Sequence, residues 1–236
     1  MISKLVSLIV GILIFLFSNL NADYHVGAIG GINFADLDAY VEGQSKKAEA
    51  LPKPCGGLLF DIDLSEYFVL RCEPMYIPKG GNILDAIPDS DDVEMEISCS
   101  YIELPIFFKT NHENPLNLYF LCGPVISYLL ECDAEIDMSN SPQGEELPVF
   151  STDLMNVTKN FDFGIGIGWG FKVPTDKLDI FAEMRYTRGL TNARKTGLID
   201  LKPEVEGIPD LIEFNENDNR YANQGLQLLM GITFTL

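Results

Sequence analysis

Residues Asp162–Val173 read DFGIGIGWGFKV, which places glycine at 164, 166, 168 and 170. Two architectures use glycine-rich runs in different ways. A phosphate-binding loop needs G-x-x-x-x-G-K-[ST], which is absent here, and a dinucleotide fingerprint needs glycine where Trp169 stands. Period two instead matches a strand, whose side chains alternate between faces. Phe161, Phe163, Ile165, Ile167, Trp169, Phe171 and Val173 then form one apolar face. Asp162, the four glycines and Lys172 form the other.

The same parity recurs along the chain. Leu226, Leu228, Met230, Ile232, Phe234 and Leu236 oppose Gln227, Leu229, Gly231, Thr233 and Thr235. Leu58, Phe60, Ile62 and Leu64 oppose Gly57, Leu59, Asp61 and Asp63. Eight segments have strand character: 24–37, 55–64, 68–79, 98–110, 116–133, 160–173, 179–189 and 224–236. Their connections alternate between short turns and long loops of 17, 18, 26 and 34 residues. An up-and-down order therefore gathers the four long loops at one end and the short turns and termini at the other. Outer-membrane barrels have this asymmetry. Aromatic residues on the apolar face cluster in two groups, Tyr24, Phe108, Phe120, Phe171 and Phe234 near the short turns, and Phe34, Tyr76, Tyr128, Phe161, Phe163 and Tyr186 near the long loops. Two aromatic belts are what the interfaces of a bilayer select. The expected fold is all-β, an eight-stranded antiparallel up-and-down transmembrane β-barrel with four long extracellular loops. A soluble exported barrel of lipocalin type is the alternative and requires the apolar faces to turn inward.

Residues 1–22 read as a signal peptide: Lys4, an apolar run over 5–17 broken by Ser7 and Gly11, and Ala22 before the cut. The run is shorter than the about 20 residues a spanning helix needs. Residues 23–236 would form the barrel. The net charge of −19 excludes nucleic acid as a partner, since phosphate contacts need basic patches.

With apolar faces outward, Asp61, Asp63, Arg71, Glu73, Glu103, Lys109, Asp162, Lys172, Glu183 and Arg185 point inward. Charges sharing a narrow lumen must pair. Arg71 and Arg185 amid Glu73, Glu103 and Glu183 form the expected centre of the network. Gly164, Gly166, Gly168 and Gly170 line the same interior and leave room for bulkier neighbours.

The long loops hold 21 acids and eight bases. The densest run, DSDDVEME (89–96), makes Asp89, Asp91, Asp92 and Glu94 a weak calcium candidate without the glycine and spacing of an EF-hand. A solvated acidic loop is the plainer reading. Of five cysteines, parity turns Cys72, Cys122 and Cys132 toward lipid, and Cys55 and Cys99 could meet near the long-loop end. Only His25 and His112 exist, both near the short turns and neither beside a serine or cysteine with an orienting acid. No catalytic residue and no cofactor is expected.

Five stretches, GGINFADL (30–37), EPMYIPKG (73–80), YIELPIFFK (101–109), CGPVISYLL (122–130) and AEMRYTRGLTN (182–192), resemble the PorT-like outer-membrane β-barrel family of Bacteroidetes-type bacteria. The resemblance covers nearly the whole chain after residue 22. It implies an outer-membrane location, lipid contact and assembly by barrel-assembly machinery. It also implies strand breaks or bulges at prolines such as Pro74, Pro105 and Pro124. Some members of that family are linked to protein secretion. The leading expectation is a non-enzymatic surface or envelope role, with a secretion-complex component second.

Overall fold

The computed structural model describes residues 23–41, 44–46, 48–83, 94–110, 117–137, 150–175, 178–200, 211–214 and 219–236. In chain order the strands begin with β1 (Tyr24–Val41), β2 (Gln44–Lys46), β3 (Ala48–Glu49), β4 (Leu51–Asp63) and β5 (Phe68–Cys72). Then come β6 (Met75–Ile83), β7 (Glu94–Thr110), β8 (Leu118–Asp137), β9 (Phe150–Asp153) and β10 (Phe161–Pro174). The last are β11 (Asp179–Gly189), β12 (Gly197–Asp200), β13 (Leu211–Phe214) and β14 (Asn219–Thr235).

The main sheet closes on itself. β1 pairs with β14, which is followed by β11, β10, β8 and β7, then by β5 and β6 in line, and finally by β4, which pairs back with β1. Every pairing is antiparallel. The expectation of exactly eight strands needs correction, whereas a break at Pro74 is as the resemblance implies. One position in the ring is filled by two strands, β5 and β6, interrupted at Glu73–Pro74. β2, β3 and β9 extend the sheet at the long-loop end, and β12 and β13 form a separate hairpin there. Long strands such as β8 also run further into the loops than the apolar alternation reaches, because ladder bonds continue where side chains no longer alternate.

Prolines sit where the ladder is interrupted, since they have no N–H to give. Pro105 faces the break between β5 and β6, where its carbonyl accepts a bond from the Glu73 amide at 3.2 Å. Pro124 lies in the gap where β7–β8 pairing passes from Pro105–Val125 to Phe108–Cys122. β6 pairs with β4 only at Gly56–Tyr76 and Gly57–Met75. The Leu58 amide donates to the Pro74 carbonyl at 3.1 Å, so even-numbered residues of β4 turn their backbone toward this seam. Pro52 and Pro54 therefore bring no orphan donor to it. Across the seam, the Pro78 carbonyl accepts from Asn33 Nδ2 at 2.8 Å.

The apolar face points out. Phe163, Ile165, Ile167, Trp169 and Phe171 are 44–56% exposed, and Met230 is 66% exposed. So large a continuous apolar wall does not persist in water. Inside, Ile29, Leu59, Ile77, Tyr101, Leu129 and Leu229 are buried together. The inward-facing lipocalin alternative is thereby overturned.

Cys132 departs from the parity expectation. A bulge shifts the β7–β8 register between Ser100 and Tyr101: Ser100 faces Glu131, but Tyr101 faces Leu129. The extra residue, Leu130, reverses the alternation beyond it, so Cys132 turns inward and pairs with Cys99 in a disulfide. Cys55 is buried and free, so the suggested Cys55–Cys99 pair does not form. Cys72 and Cys122 are also free, and Cys122 is exposed on the outer wall. Denatured but unreduced protein is expected to take up three alkyl groups by intact mass, and five after reduction. Five without reduction would show that the bond is absent.

Candidate functional site

The short turn between β4 and β5 sets Asp61 opposite Arg71 on the ladder, and both face the lumen. Arg71 grips Asp61 with two bonds, Nε to Oδ1 at 2.6 Å and Nη2 to Oδ2 at 2.7 Å. Lys109 Nζ reaches the same carboxylate at 2.9 Å. From the other wall, Glu183 accepts from Arg71 Nη1. It also accepts from Tyr119 Oη at 2.5 Å and from Arg185 Nε at 2.6 Å. Arg185 turns its remaining nitrogens onto Glu73, with Nη2 at 2.8 Å. Three cations and three carboxylates thus form one hydrogen-bonded cluster spanning the lumen. Arg71, Glu73 and Arg185 are at most 1% exposed.

Aromatic faces complete the coordination. The Arg71 guanidinium lies 5.1 Å from the Phe181 ring centroid, and Arg185 lies 5.1 Å from that of Phe107. Lys109 sits 4.8 Å from the Tyr119 centroid. Such contacts hold a cation where water is excluded.

Glu103 stands apart from this cluster. Arg71 faces Phe107 on β7, whereas Glu103 faces Met75. Four residues along a strand is about 13 Å. Glu103 instead joins a second layer with Lys79, at 2.8 Å, and with Ser127 Oγ, which donates to it at 2.9 Å. Lys79 also donates to Ser127 Oγ at 2.8 Å and reaches Asp162 at 3.3 Å. Asp162 is held by Thr191 and Asn223 at 2.9 Å each. Lys79 escaped the sequence reading because it closes a segment beside Pro78 and Gly80. Its parity with Arg71, Glu73 and Ile77 was the available signal.

The glycine face of β10 packs directly on these groups. A Cβ at Gly168 would lie 2.7 Å from the Met184 carbonyl oxygen and 2.8 Å from Arg185 Cγ. At Gly170 it would meet Glu183 Cγ and the Tyr119 ring, both at 2.7 Å. At Gly166 it would meet the Phe107 ring at 2.8 Å, and at Gly164 the Arg188 carbonyl oxygen at 2.7 Å.

Below the cluster a small polar cavity of about 90 Å³ opens at the short-turn end, lined by Asp63, Lys172, Asp179 and Thr233 among others. His25 stands there too, 3.0 Å from the Thr235 hydroxyl and 3.4 Å from Asp63. Toward the long loops the lumen ends under buried Leu154, Val157 and Tyr221. The segment that carries Leu154 and Val157 is tied down by bonds from the Leu154 amide to the Cys132 carbonyl and from the Lys195 amide to the Val157 carbonyl, both 2.8 Å. Asp89, Asp91, Asp92 and His112 lie outside the described residues, and Glu94 is the first residue of β7.

A profile for the outer membrane protein β-barrel domain matches residues 17–194. Among solved structures, a major outer membrane protein from Thermus thermophilus shares 10% identity with a TM-score of 0.54, covering 92% of this chain and 100% of that one. The outer membrane protease OmpT from Escherichia coli shares 10% identity with a TM-score of 0.42, covering 91% and 97%. OprG from Pseudomonas aeruginosa shares 9% identity with a TM-score of 0.39, covering 91% and 95%. No curated protein sequence matches. The outward apolar wall, the charged interior and the match over residues 17–194 lead to one conclusion: the protein belongs to the outer membrane protein β-barrel domain family and resides in the outer membrane.

Proposed function

We propose that this protein is a non-enzymatic, non-conducting envelope barrel. Residues 1–22 would serve as a cleaved export signal, and the acidic long loops would face the cell exterior as a docking surface. The observation that carries the reading is the cluster of Asp61, Arg71, Glu73, Lys109, Glu183 and Arg185. It fills the lumen from wall to wall and uses its charges on one another. A permeation path needs groups that can exchange partners with a passing ion, and a cation already gripped by two carboxylates has nothing free to offer. The small-lumen geometry of such barrels supports the same reading, since side chains suffice to fill it.

Planar-bilayer recording tests this. Purified protein is expected to add no steady current above that of the empty bilayer, and large lasting steps would contradict a sealed lumen. A role in a protein-secretion assembly is a second reading, favoured by the five ordered stretches that resemble the PorT-like family. Cross-linking in native membranes separates the two. Recovery of secretion components as neighbours would favour the second reading, and their absence would count against it.

A further inference from the structure

The outer wall spanning β7, β8, β10 and β11 carries an apolar groove of about 480 Å³. Its floor is Cys122, a small exposed side chain, and its rims are Phe108, Phe120, Ile167, Trp169 and Met184. Ladder register explains the hollow. Cys122 stands between Phe108 on β7 and Ile167 on β10, so one short side chain interrupts a row of long ones. On either side of Ile167, β10 turns only Gly166 and Gly168 inward, which lets its backbone lie close on Phe107 and Arg185. The rims stand open: Phe120 is 65% exposed and Phe108 54%.

We propose that this groove holds one acyl chain of an outer-membrane lipid more tightly than the surrounding bilayer does. The protein resides in the outer membrane, and the groove is continuous with the apolar wall that meets the hydrocarbon. Both hydroxyls in its lining are occupied. Thr110 Oγ1 accepts from the Phe120 amide at 2.9 Å, and Tyr186 Oη donates to Gln224 Oε1 at 2.9 Å. The groove therefore offers mainly dispersion contacts, which suit methylene chains better than a peptide or a headgroup. A second copy is a poorer occupant. Close protein packing in membranes favours small residues and cross-chain hydrogen bonds, whereas these rims are long and apolar. A flexible chain conforms to such a hollow.

Trp169 is the only tryptophan of the chain and stands on the rim, so its fluorescence reports on the groove. The protein would be folded into phosphatidylcholine vesicles with brominated chains, transferred to dodecyl maltoside micelles and washed with fresh micelles. Quenching of Trp169 should decay about threefold more slowly than in Cys122→Phe, whose ring fills the floor, because a chain held in the groove leaves later than the chains around it. Cys122→Ala, which keeps the hollow, should behave as the parent. Heat-modifiable migration verifies that each variant is folded. Superimposable curves for the parent and the Phe variant would overturn the proposal. So would an unquenched Trp169 in protein that cross-links copy to copy through Cys122, which would assign the groove to a second copy.

Discussion

Arg185→Met is expected to lower the unfolding free energy by about 3–5 kcal/mol, the usual cost of stripping one partner from a buried ion pair. Arg185 is the shared partner of Glu73 and Glu183. Without it Glu73 keeps only a 3.5 Å contact with Arg71. Glu183 keeps Arg71 and Tyr119, so the damage centres on Glu73. The double variant Arg185→Met/Glu73→Gln removes the stranded charge together with its partner and should recover part of the loss. Urea titration in lipid, followed through Trp169 fluorescence, measures both. Equal stability of the single variant and the parent would show that the cluster is not a paired, desolvated unit.

Gly168→Leu should leave no folded barrel at all, seen as the loss of the heat-modifiable form. Overpacking a core costs about 1–3 kcal/mol when neighbours can adjust. Here the nearest atom to the new Cβ is a backbone carbonyl of the paired strand, which cannot move without breaking the ladder. Gly30→Ala is the matched control. Its nearest neighbour would be the Cys55 carbonyl oxygen at 3.5 Å, an ordinary contact. Folding of Gly168→Leu at the parent level would mean that the inner face of β10 is not packed on Arg185.

Much of this architecture is visible in the sequence because a barrel wall imposes one rule on every strand. The apolar side of 161–173 and that of 226–236 both face out, as their parity requires. The rule fails where the backbone departs from regular pairing. Nothing in CGPVISYLLECD announces that Leu130 is an extra residue, yet it reverses the facing of Cys132. The inward direction of Glu103 is readable, but its height is not. Height depends on which residue of β6 lies opposite, and the break at Glu73–Pro74 sets that. Lys79 was lost for a related reason, since Pro78 and Gly80 mimic a strand end. The segments that close the long-loop end, around Leu154 and Arg194, have no alternation to read. They hold their place by isolated contacts such as the Arg194 Nη1 bond to Thr158 Oγ1 at 2.5 Å.

The central claim is a wall with lipid on one side and a packed interior on the other. Spin labels placed singly at positions 226–230, 232 and 233 of β14, in protein lacking other reactive cysteines, test it most directly. Even positions should collide with dissolved oxygen, which partitions into lipid, and odd positions with neither oxygen nor a water-soluble nickel chelate. Nickel access at 227 and 229 would mean an open, water-filled lumen, and a lack of alternation would mean that β14 is not a strand of a membrane barrel.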